Sequence, residues 1–305
     1  MWGTHALNYL NIEGREIRVT NLDKVLWPEE ALTKGHMIEY YIKVSSLLLS
    51  HVFNRLMSAQ RFPDGIDRQG FYQKNCPEGA PDWVETYNLK RDKGKETNYI
   101  LVQNLSTLVW MANTGVIEFH PWLSSVRSLD NPDFAVFDLD PMERFGIEQV
   151  IEIAAAIGDL LGQLKLQADI KTSGSTGLQV FVPLEPVYTY KQVRDFVQLC
   201  CNVINRQFPE WTTMERNIRD RQGKIYLDYM QNAREKTIVA AYSLRPRSEA
   251  TYSAPLRWED VYNKKVNPKD YTLAAVLNGQ QPLPWMAGIG PQRLETAADI
   301  LGKIL

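Results

Sequence analysis

The clearest hydrophobic pattern in the chain is an apolar run that begins at Phe134 and takes up acidic residues only at its end. A run of this length, closed by Pro141, is typical of a buried strand that stops as it reaches solvent. Side chains two positions apart share one face of a strand, so Asp138 and Asp140 are predicted to point the same way. Adjacent carboxylates are unfavourable unless a cation neutralises them, and Mg²⁺ and Mn²⁺ suit oxygen ligands. The pattern therefore predicts a metal site, with a turn capped by these acids as the simpler alternative.

Apolar spacing predicts both helices and strands along the rest of the chain. Helical spacing predicts a helix capped by Thr33 and further helices over 106–113, 147–164 and 189–208. Short apolar runs predict strands over 17–19, 56–60, 116–122, 225–230 and 237–244, with Pro121 halting the third. A Ser/Gly segment over 173–177 precedes another apolar strand. This segment is either a hairpin turn or a loop whose N–H groups and hydroxyls cradle phosphate oxygens.

Composition narrows the class of protein without identifying its function. The chain has 305 residues, of which 44% are hydrophobic and 23% are charged, and its formal net charge is −2. These values are typical of a globular protein with ample core, and they exclude a globally basic DNA-coating protein. No apolar run reaches transmembrane length, and the cysteines form neither a metal motif nor an even disulfide set. With no secretory signal evident, we expect a cytoplasmic protein without membrane contacts.

Basic and aromatic residues near the first predicted helix are candidates for a nucleic-acid surface. Lys24 and Lys34 flank the loop before this helix, where ammonium groups and a helix N-terminus would suit a phosphate. Phe71 and Tyr72 follow further along and would stack a base if they are exposed. Solvated lysines and core aromatics are the ordinary alternatives, and these residues by themselves favour them.

Polar residues at or inside apolar strands are candidates for chemistry. Asp228 lies inside a predicted apolar strand, where an unpaired charge would be expensive, so it is the natural third ligand of the predicted metal site. His120 stands at the end of another predicted strand, the position at which active sites gather in α/β proteins. Arg245 follows a third, where an arginine is either a surface charge or a bidentate grip on a triphosphate.

Several short stretches occur together, in order, between about residues 19 and 285. They are Asp23-Lys24-Val25-Leu26-Trp27-Pro28, Gln60-Arg61-Phe62-Pro63-Asp64-Gly65, Phe71-Tyr72-Gln73-Lys74, His120-Pro121-Trp122-Leu123-Ser124, Phe137-Asp138-Leu139-Asp140-Pro141, Ser173-Gly174-Ser175-Thr176-Gly177-Leu178 and Leu227-Asp228-Tyr229-Met230-Gln231-Asn232. This set resembles the polymerase domain of the bacterial ATP-dependent DNA ligase D, a branch of the archaeo-eukaryotic primase superfamily that works in non-homologous end joining. The resemblance implies an α/β (α+β) primase-like polymerase fold with a central mixed or antiparallel sheet flanked by helices. It implies a single domain over 1–305, of which 286–305 is a helical tail.

The resemblance also implies roles for individual residues. The metal-binding and catalytic acids of the family match Asp138, Asp140 and Asp228. The residues around the incoming nucleotide match His120, Ser173, Ser175, Gln231 and Arg245, and Arg61 lies in a motif that borders the nucleotide pocket. Lys24 and Lys34 match the pair that recognises a 5′-phosphate at a DNA gap or end, and Phe71 and Tyr72 match the stacking aromatics beside it.

Thr176 and Gln179 lie at nucleotide-binding positions of the family but depart from its usual residues. The family usually carries lysine or arginine where Thr176 stands and histidine where Gln179 stands. Both departures remove positive charge near phosphate. They keep open the alternative of a DNA-end-binding module that is catalytically weak.

The implied activity is the addition of nucleotides, ribonucleotides by preference, to DNA 3′ ends at gaps or breaks by a two-metal mechanism with Mn²⁺ or Mg²⁺. The implied partners are gapped or broken DNA with a 5′-phosphate, nucleoside triphosphates, Ku, and a separate or fused DNA ligase, at a nucleoid-associated location. A phosphohydrolase of the haloacid-dehalogenase type is a rival, because its first strand also ends in Asp-x-Asp. That type carries a glycine after the second acid, where this chain has Pro141.

Overall fold

The computed structural model describes residues 8–91 and 94–304, and the chain divides into two compact units. The first unit contains the chain up to Trp122 together with Val239–Ser253 and Lys269–Pro282. The second contains Leu123–Ile238, Ala254–Pro268 and the chain from Leu283 onward. None of the described helices is both long and apolar enough to cross a membrane.

The elements of the described residues, in chain order, are strands and helices in similar measure. The strands are β1 (Asn8–Ile12), β2 (Arg15–Val19), β3 (Val25–Trp27), β4 (Leu32–Thr33), β5 (Arg55–Arg61), β6 (Phe71–Gln73), β7 (Thr86–Lys90), β8 (Glu96–Ile100), β9 (Val116–Ser125), β10 (Phe134–Asp140), β11 (Asp169–Thr172), β12 (Leu178–Pro183), β13 (Thr212–Thr213), β14 (Ile225–Leu227) and β15 (Pro255–Leu256). The helices are α1 (Lys34–Val52), α2 (Leu105–Asn113), α3 (Ile147–Gln163), α4 (Tyr190–Gln207), α5 (Trp258–Tyr262), α6 (Leu273–Leu277) and α7 (Glu295–Ile304). Short 3₁₀ turns cover Ile218–Asp220, Tyr229–Asn232 and Pro268–Asp270.

The first unit is built on a sheet of order β6–β5–β9, with α1 packed against α2 and α6. Buried tyrosines of α1 anchor this helix to the strands beneath it. The Tyr40 hydroxyl donates to the carbonyl of Tyr242 at 2.8 Å, and the Tyr41 hydroxyl donates to the carbonyl of Ile117. A buried phenol needs an acceptor, so these bonds fix the rotation of α1 as well as its position.

The second unit is built on a six-stranded sheet of order β13–β14–β10–β12–β11–β15. The β13–β14 pair is parallel and the other pairs are antiparallel. β10 and β12 lie in the middle, which explains why their sequences are apolar without alternation. α4 packs on β10 and α3 packs on β12. The predicted mixed sheet with flanking helices is confirmed.

Strand β9 does not end where the sequence predicts. It runs through Pro121 to Ser125, so the expectation that proline halts it is wrong, and His120 lies inside the strand rather than at its end. β9 is the last strand of its sheet, and proline is tolerated on an edge strand because its missing N–H faces no ladder partner there.

Two further strand predictions also fail in part. β14 ends at Leu227, so Asp228 lies just beyond the strand, at the start of a 3₁₀ turn. The chain over 237–244 forms no strand, and Tyr242 within it has a φ of 66°. A residue with positive φ cannot continue an extended ladder, which explains the irregular backbone at this point.

Candidate functional site

Three acids converge at one end of the second unit's sheet. β10 delivers Asp138 and Asp140 on one face, and Asp228 follows the neighbouring β14. The Asp228 N–H donates to the Asp138 carbonyl at 2.9 Å, which continues the pairing of these strands. One carboxylate oxygen from each acid lies within 4.8 Å of the others. The structure thus brings together all three acids that the sequence analysis assigns to a metal.

Crowding of these carboxylates is reflected in the ionisation of Asp138. Burial raises the pKa of Asp138 well above its usual range, and the charges of Asp140 and Asp228 raise it further. A hydrogen bond from Gln179 opposes this shift. An all-oxygen set with excess negative charge fits a hard divalent cation, so the residues present suit Mg²⁺ or Mn²⁺.

Gln179 joins Asp138 to a buried lysine that the sequence analysis did not assign to the site. In the strand register Gln179 lies opposite Asp138 on one side and opposite Lys171 on the other. Its amide nitrogen donates to Asp138 Oδ1 at 2.9 Å, and its amide oxygen accepts from the Lys171 ammonium. Lys171 is 0% exposed. The sequence signal was a lysine in an apolar strand, two positions before the Ser/Gly turn.

Side chains around Asp228 hold its backbone and carboxylate in place. The Tyr226 hydroxyl donates to Asp228 Oδ1 at 3.1 Å, and the Arg221 guanidinium lies 3.7 Å from the Tyr226 ring centroid. The fully buried Asn232 accepts from the Val136 N–H at 2.8 Å and donates to the Val136 carbonyl at 2.7 Å. Asn232 therefore replaces the strand partner that β10 loses where β14 ends.

The Ser/Gly segment is a hairpin turn between the antiparallel strands β11 and β12. Ser173 Oγ accepts from the N–H groups of Ser175 and Gly177, at 3.2 and 3.1 Å. Thr172 Oγ1 accepts from the Gly174 N–H at 3.2 Å. These N–H groups are therefore already bonded within the turn, and a phosphate here would meet hydroxyls more readily than backbone donors.

Other predicted nucleotide residues of the second unit are spread around this turn and the acids. Thr176 is exposed at the tip of the hairpin, while Ser173 is buried and Ser175 is half-buried. Gln231 donates from its amide nitrogen to the Thr237 carbonyl at 2.5 Å, which bridges the chain after the 3₁₀ turn.

The first unit contains a separate polar cluster organised by a buried glutamate. Glu118 lies two positions before His120 on β9, and its Oε2 is 2.8 Å from His120 Nε2. Its Oε1 forms an ion pair with Arg245 Nε at 2.5 Å. The Tyr72 ring packs edge-on against the His120 ring with centroids 5.7 Å apart. Sequence analysis selected His120 and Arg245 but missed Glu118, whose signal was an acid inside an otherwise apolar strand.

Arg61 and the predicted stacking aromatics are also placed in the first unit. Phe71 and Tyr72 are exposed, at 46% and 61%, but neighbouring strand residues point to opposite faces. Tyr72 meets His120, whereas Phe71 lies under Arg61, whose guanidinium is 5.3 Å from its ring centroid. Arg61 also donates to the Thr114 carbonyl and to Gln73, so it braces the hairpin in which it lies.

Lys24 and Lys34 meet at the N-terminus of α1, as the sequence analysis expects. Thr33 caps the helix, and the Lys34 N–H donates to the Lys24 carbonyl at 2.8 Å. Burial and the charge of Lys24 lower the pKa of Lys34 to about 8. The Lys24 ammonium contacts Asp64 at 2.5 Å in an exposed ion pair, which an incoming phosphate can displace at little cost because such pairs are weak.

Comparison with known proteins identifies the family. A family model described as "LigD, primase-polymerase domain" matches residues 33–283. The bifunctional non-homologous end joining protein LigD of Bacillus subtilis (strain 168) is 35% identical over 264 residues, which cover 86% of this chain and 42% of that protein. The multifunctional LigD of Mycolicibacterium smegmatis is 31% identical over 247 residues, which cover 80% of this chain and 32% of that protein. The chain therefore spans less than half the length of these relatives.

A solved structure supports the same assignment. The chain is similar to a structure described as the polymerase domain from Mycobacterium tuberculosis ligase D in complex with DNA, with a TM-score of 0.79 and 29% identity. The match covers 93% of this chain and 98% of that one. The fold, the converging acids and the extent of the family match together lead to one conclusion: this chain belongs to the LigD primase-polymerase domain family of nucleotidyltransferases.

Proposed function

We propose that the chain adds nucleotides, preferably ribonucleotides, to DNA 3′ ends at gaps and breaks during non-homologous end joining. The observation that carries this proposal is the convergence of Asp138, Asp140 and Asp228 at one end of a sheet whose fold matches a DNA-bound polymerase domain. Two Mg²⁺ or Mn²⁺ ions on these acids would activate the 3′-hydroxyl and neutralise the triphosphate and the leaving pyrophosphate.

The chain's own residues would orient this chemistry. Gln179 binds one oxygen of Asp138, and Tyr226 binds one oxygen of Asp228, so each acid has a fixed direction from which to offer its remaining oxygen. Such positioning by residues outside the ligand set is typical of metal centres. Proton transfer by a side chain is not required, because phosphoryl transfer depends mainly on alignment and charge stabilisation.

Substrate binding in this proposal uses the remaining candidate residues. In the second unit, Ser173, Ser175, Thr176, Gln179 and Gln231 would contact the incoming nucleotide. In the first unit, His120, Arg61 and Arg245 would do so, Tyr72 and Phe71 would stack on nucleic-acid bases, and Lys24 and Lys34 would bind the 5′-phosphate.

The wider setting is also a proposal. Ku and a DNA ligase, on the same or another polypeptide, would act with this domain at breaks on the nucleoid. Support comes from the relatives, which are named as non-homologous end joining proteins. Family membership takes the place of the phosphohydrolase alternative.

The first test is extension of a gapped duplex with a 5′-phosphate, using labelled ribonucleotides and Mn²⁺. We expect the Asp228→Ala variant to lose at least about a hundredfold in rate, because it lacks one of three converging ligands. Asp195→Ala, which removes an acid from the surface of α4, should retain the wild-type rate. Substantial extension by Asp228→Ala would contradict the three-acid site. Tight binding of the duplex by a wild-type protein that extends nothing would favour the DNA-end-binding alternative.

A further inference from the structure

Glu118 is a buried carboxylate that contacts two candidate nucleotide-binding residues at once. Its exposure is 1%, and its two oxygens divide between His120 Nε2 at 2.8 Å and Arg245 Nε at 2.5 Å. Burial alone would raise the pKa of Glu118, but the hydrogen bond to His120 and the charge of Arg245 outweigh it and hold the pKa below its usual value. A buried charge is retained at such a position only when it is paired in this way.

The carboxylate is not needed to dock the chain that carries Arg245 onto β9. The Ala240 N–H donates to the Phe119 carbonyl at 2.8 Å, and the Phe119 N–H donates to Ser243 Oγ at 2.9 Å. The Arg245 carbonyl accepts from Trp27 Nε1 at 3.3 Å. These bonds hold the backbone on both sides of the glutamate, so the Glu118 side chain acts on the orientation of other side chains.

The chemistry of the contact determines what His120 can offer. A carboxylate only accepts hydrogen bonds, so His120 must carry a proton on Nε2, and Nδ1 becomes the nitrogen that faces a ligand. On the other side, the ion pair engages Arg245 through Nε and does not itself use the terminal nitrogens, which form the fork suited to phosphate oxygens.

We propose that Glu118 is a positioning residue that sets the tautomer of His120 and the direction of Arg245 together, so that both bind the triphosphate of an incoming nucleotide. This inference rests on the nucleotide-binding role proposed above for His120 and Arg245. The Tyr72 ring, packed edge-on against the imidazole, limits its remaining rotation.

The kinetic test uses Glu118→Gln, which keeps the shape but replaces one acceptor oxygen by a donor. The amide cannot accept from both partners, so we expect the nucleotide KM to rise about tenfold or more with a much smaller change in kcat. Affinity for gapped DNA with a 5′-phosphate should stay at the wild-type value, as should all parameters of the exposed control Glu85→Gln. In a His120→Ala, Arg245→Ala background, Glu118→Gln should have no further effect.

The spectroscopic test needs no turnover and no variant that must fold. The sequence contains four histidines, His5, His36, His51 and His120, so ¹⁵N-histidine spectra can be assigned with a His120→Gln control. Wild-type His120 should be the Nε2–H tautomer, and ATP with Mg²⁺ in the absence of DNA should shift its Nδ1 resonance. A Nδ1–H tautomer would overturn the inference. An active wild type with an unchanged KM in Glu118→Gln would overturn it as well, whereas an inactive wild type would refute the proposed function itself.

Discussion

Gln179 occupies a position at which hydrogen-bond direction matters more than charge. It accepts from Lys171 on one side and donates to Asp138 on the other. A neutral histidine, the residue that the family usually carries here, also has one acceptor and one donor nitrogen, so it can make the same two contacts. The departure to glutamine therefore preserves the direction of the bonds, and Lys171 supplies a cation behind it.

Substitutions of Gln179 separate these effects. We expect Gln179→Leu to destabilise the protein by roughly 1–3 kcal/mol, because it leaves the buried Lys171 ammonium without this acceptor, and to weaken Mn²⁺ binding. Gln179→His should stay close to wild type in both respects. Urea unfolding and Mn²⁺ titration measure the two quantities. Equal losses in the two variants would mean that side-chain shape, and not bond direction, decides.

Lys34 gives the proposed 5′-phosphate site a pH dependence. Its pKa is lowered to about 8, so the ammonium is largely charged at about pH 7 and largely neutral at about pH 9. We expect the preference for a 5′-phosphate over a 5′-hydroxyl, measured by fluorescence anisotropy on gapped DNA, to shrink as the pH rises through this range.

Unfolding cannot account for such a loss. Because the pKa of Lys34 is lower in the folded protein, the unfolded chain binds more protons above about pH 8, and this group makes folding more stable as the pH rises. Lys34→Met is the matched control and should show a small preference that does not change with pH. A wild-type preference that is constant over the same range would argue against phosphate binding by Lys34.

At the level of elements, Asn232 and Gly177 determine how β10 presents its acids. Asn232 pairs with both backbone groups of Val136 where β14 has ended. Gly177 is required for a different reason, since a Cβ at this position would collide with the Leu139 carbonyl oxygen. Both residues let neighbouring chain segments close tightly around the end of β10.

Removal of the Asn232 side chain tests this arrangement. Asn232→Ala leaves the buried N–H and carbonyl of Val136 without partners, so we expect a loss of roughly 1–3 kcal/mol in the free energy of unfolding. Mn²⁺ affinity should fall too, because the turn that carries Asp228 is released. Asn263→Ala, at an exposed position after α5, should change neither. An intact Mn²⁺ affinity in Asn232→Ala would show that β14 alone places Asp228.

On the scale of the whole molecule, the acid cluster sets stability against function. Asp138 is buried beside two other acids, and like charges held together destabilise the folded state when no cation is bound. A bound divalent ion reverses the balance, since a ligand that binds only the folded protein stabilises it by mass action.

Asp138→Asn should therefore have opposite effects with and without metal. In the presence of a chelator we expect a higher melting temperature than wild type, because the amide removes one of the crowded charges. On addition of Mn²⁺, wild type should gain stability while the variant gains little. Thermal unfolding monitored by circular dichroism decides the point, with Asp195→Asn as a surface control. A variant that is less stable than wild type without metal would show that Asp138 is held mainly by its hydrogen bonds.

The sequence by itself determined the strands and helices whose apolar pattern is strong, such as β10, α3 and α4, because local periodicity records burial directly. It also identified the three acids and the lysine pair, since their residue types and motifs carry the chemistry. Only the tertiary structure revealed Glu118, Lys171 and Asn232. Each is a polar residue whose partner lies elsewhere in the chain, so nothing in its local pattern distinguishes it from an ordinary strand or turn residue. The same reason explains why β9 continues through Pro121 and β14 ends at Leu227: the ends of these strands depend on their neighbours in the sheet.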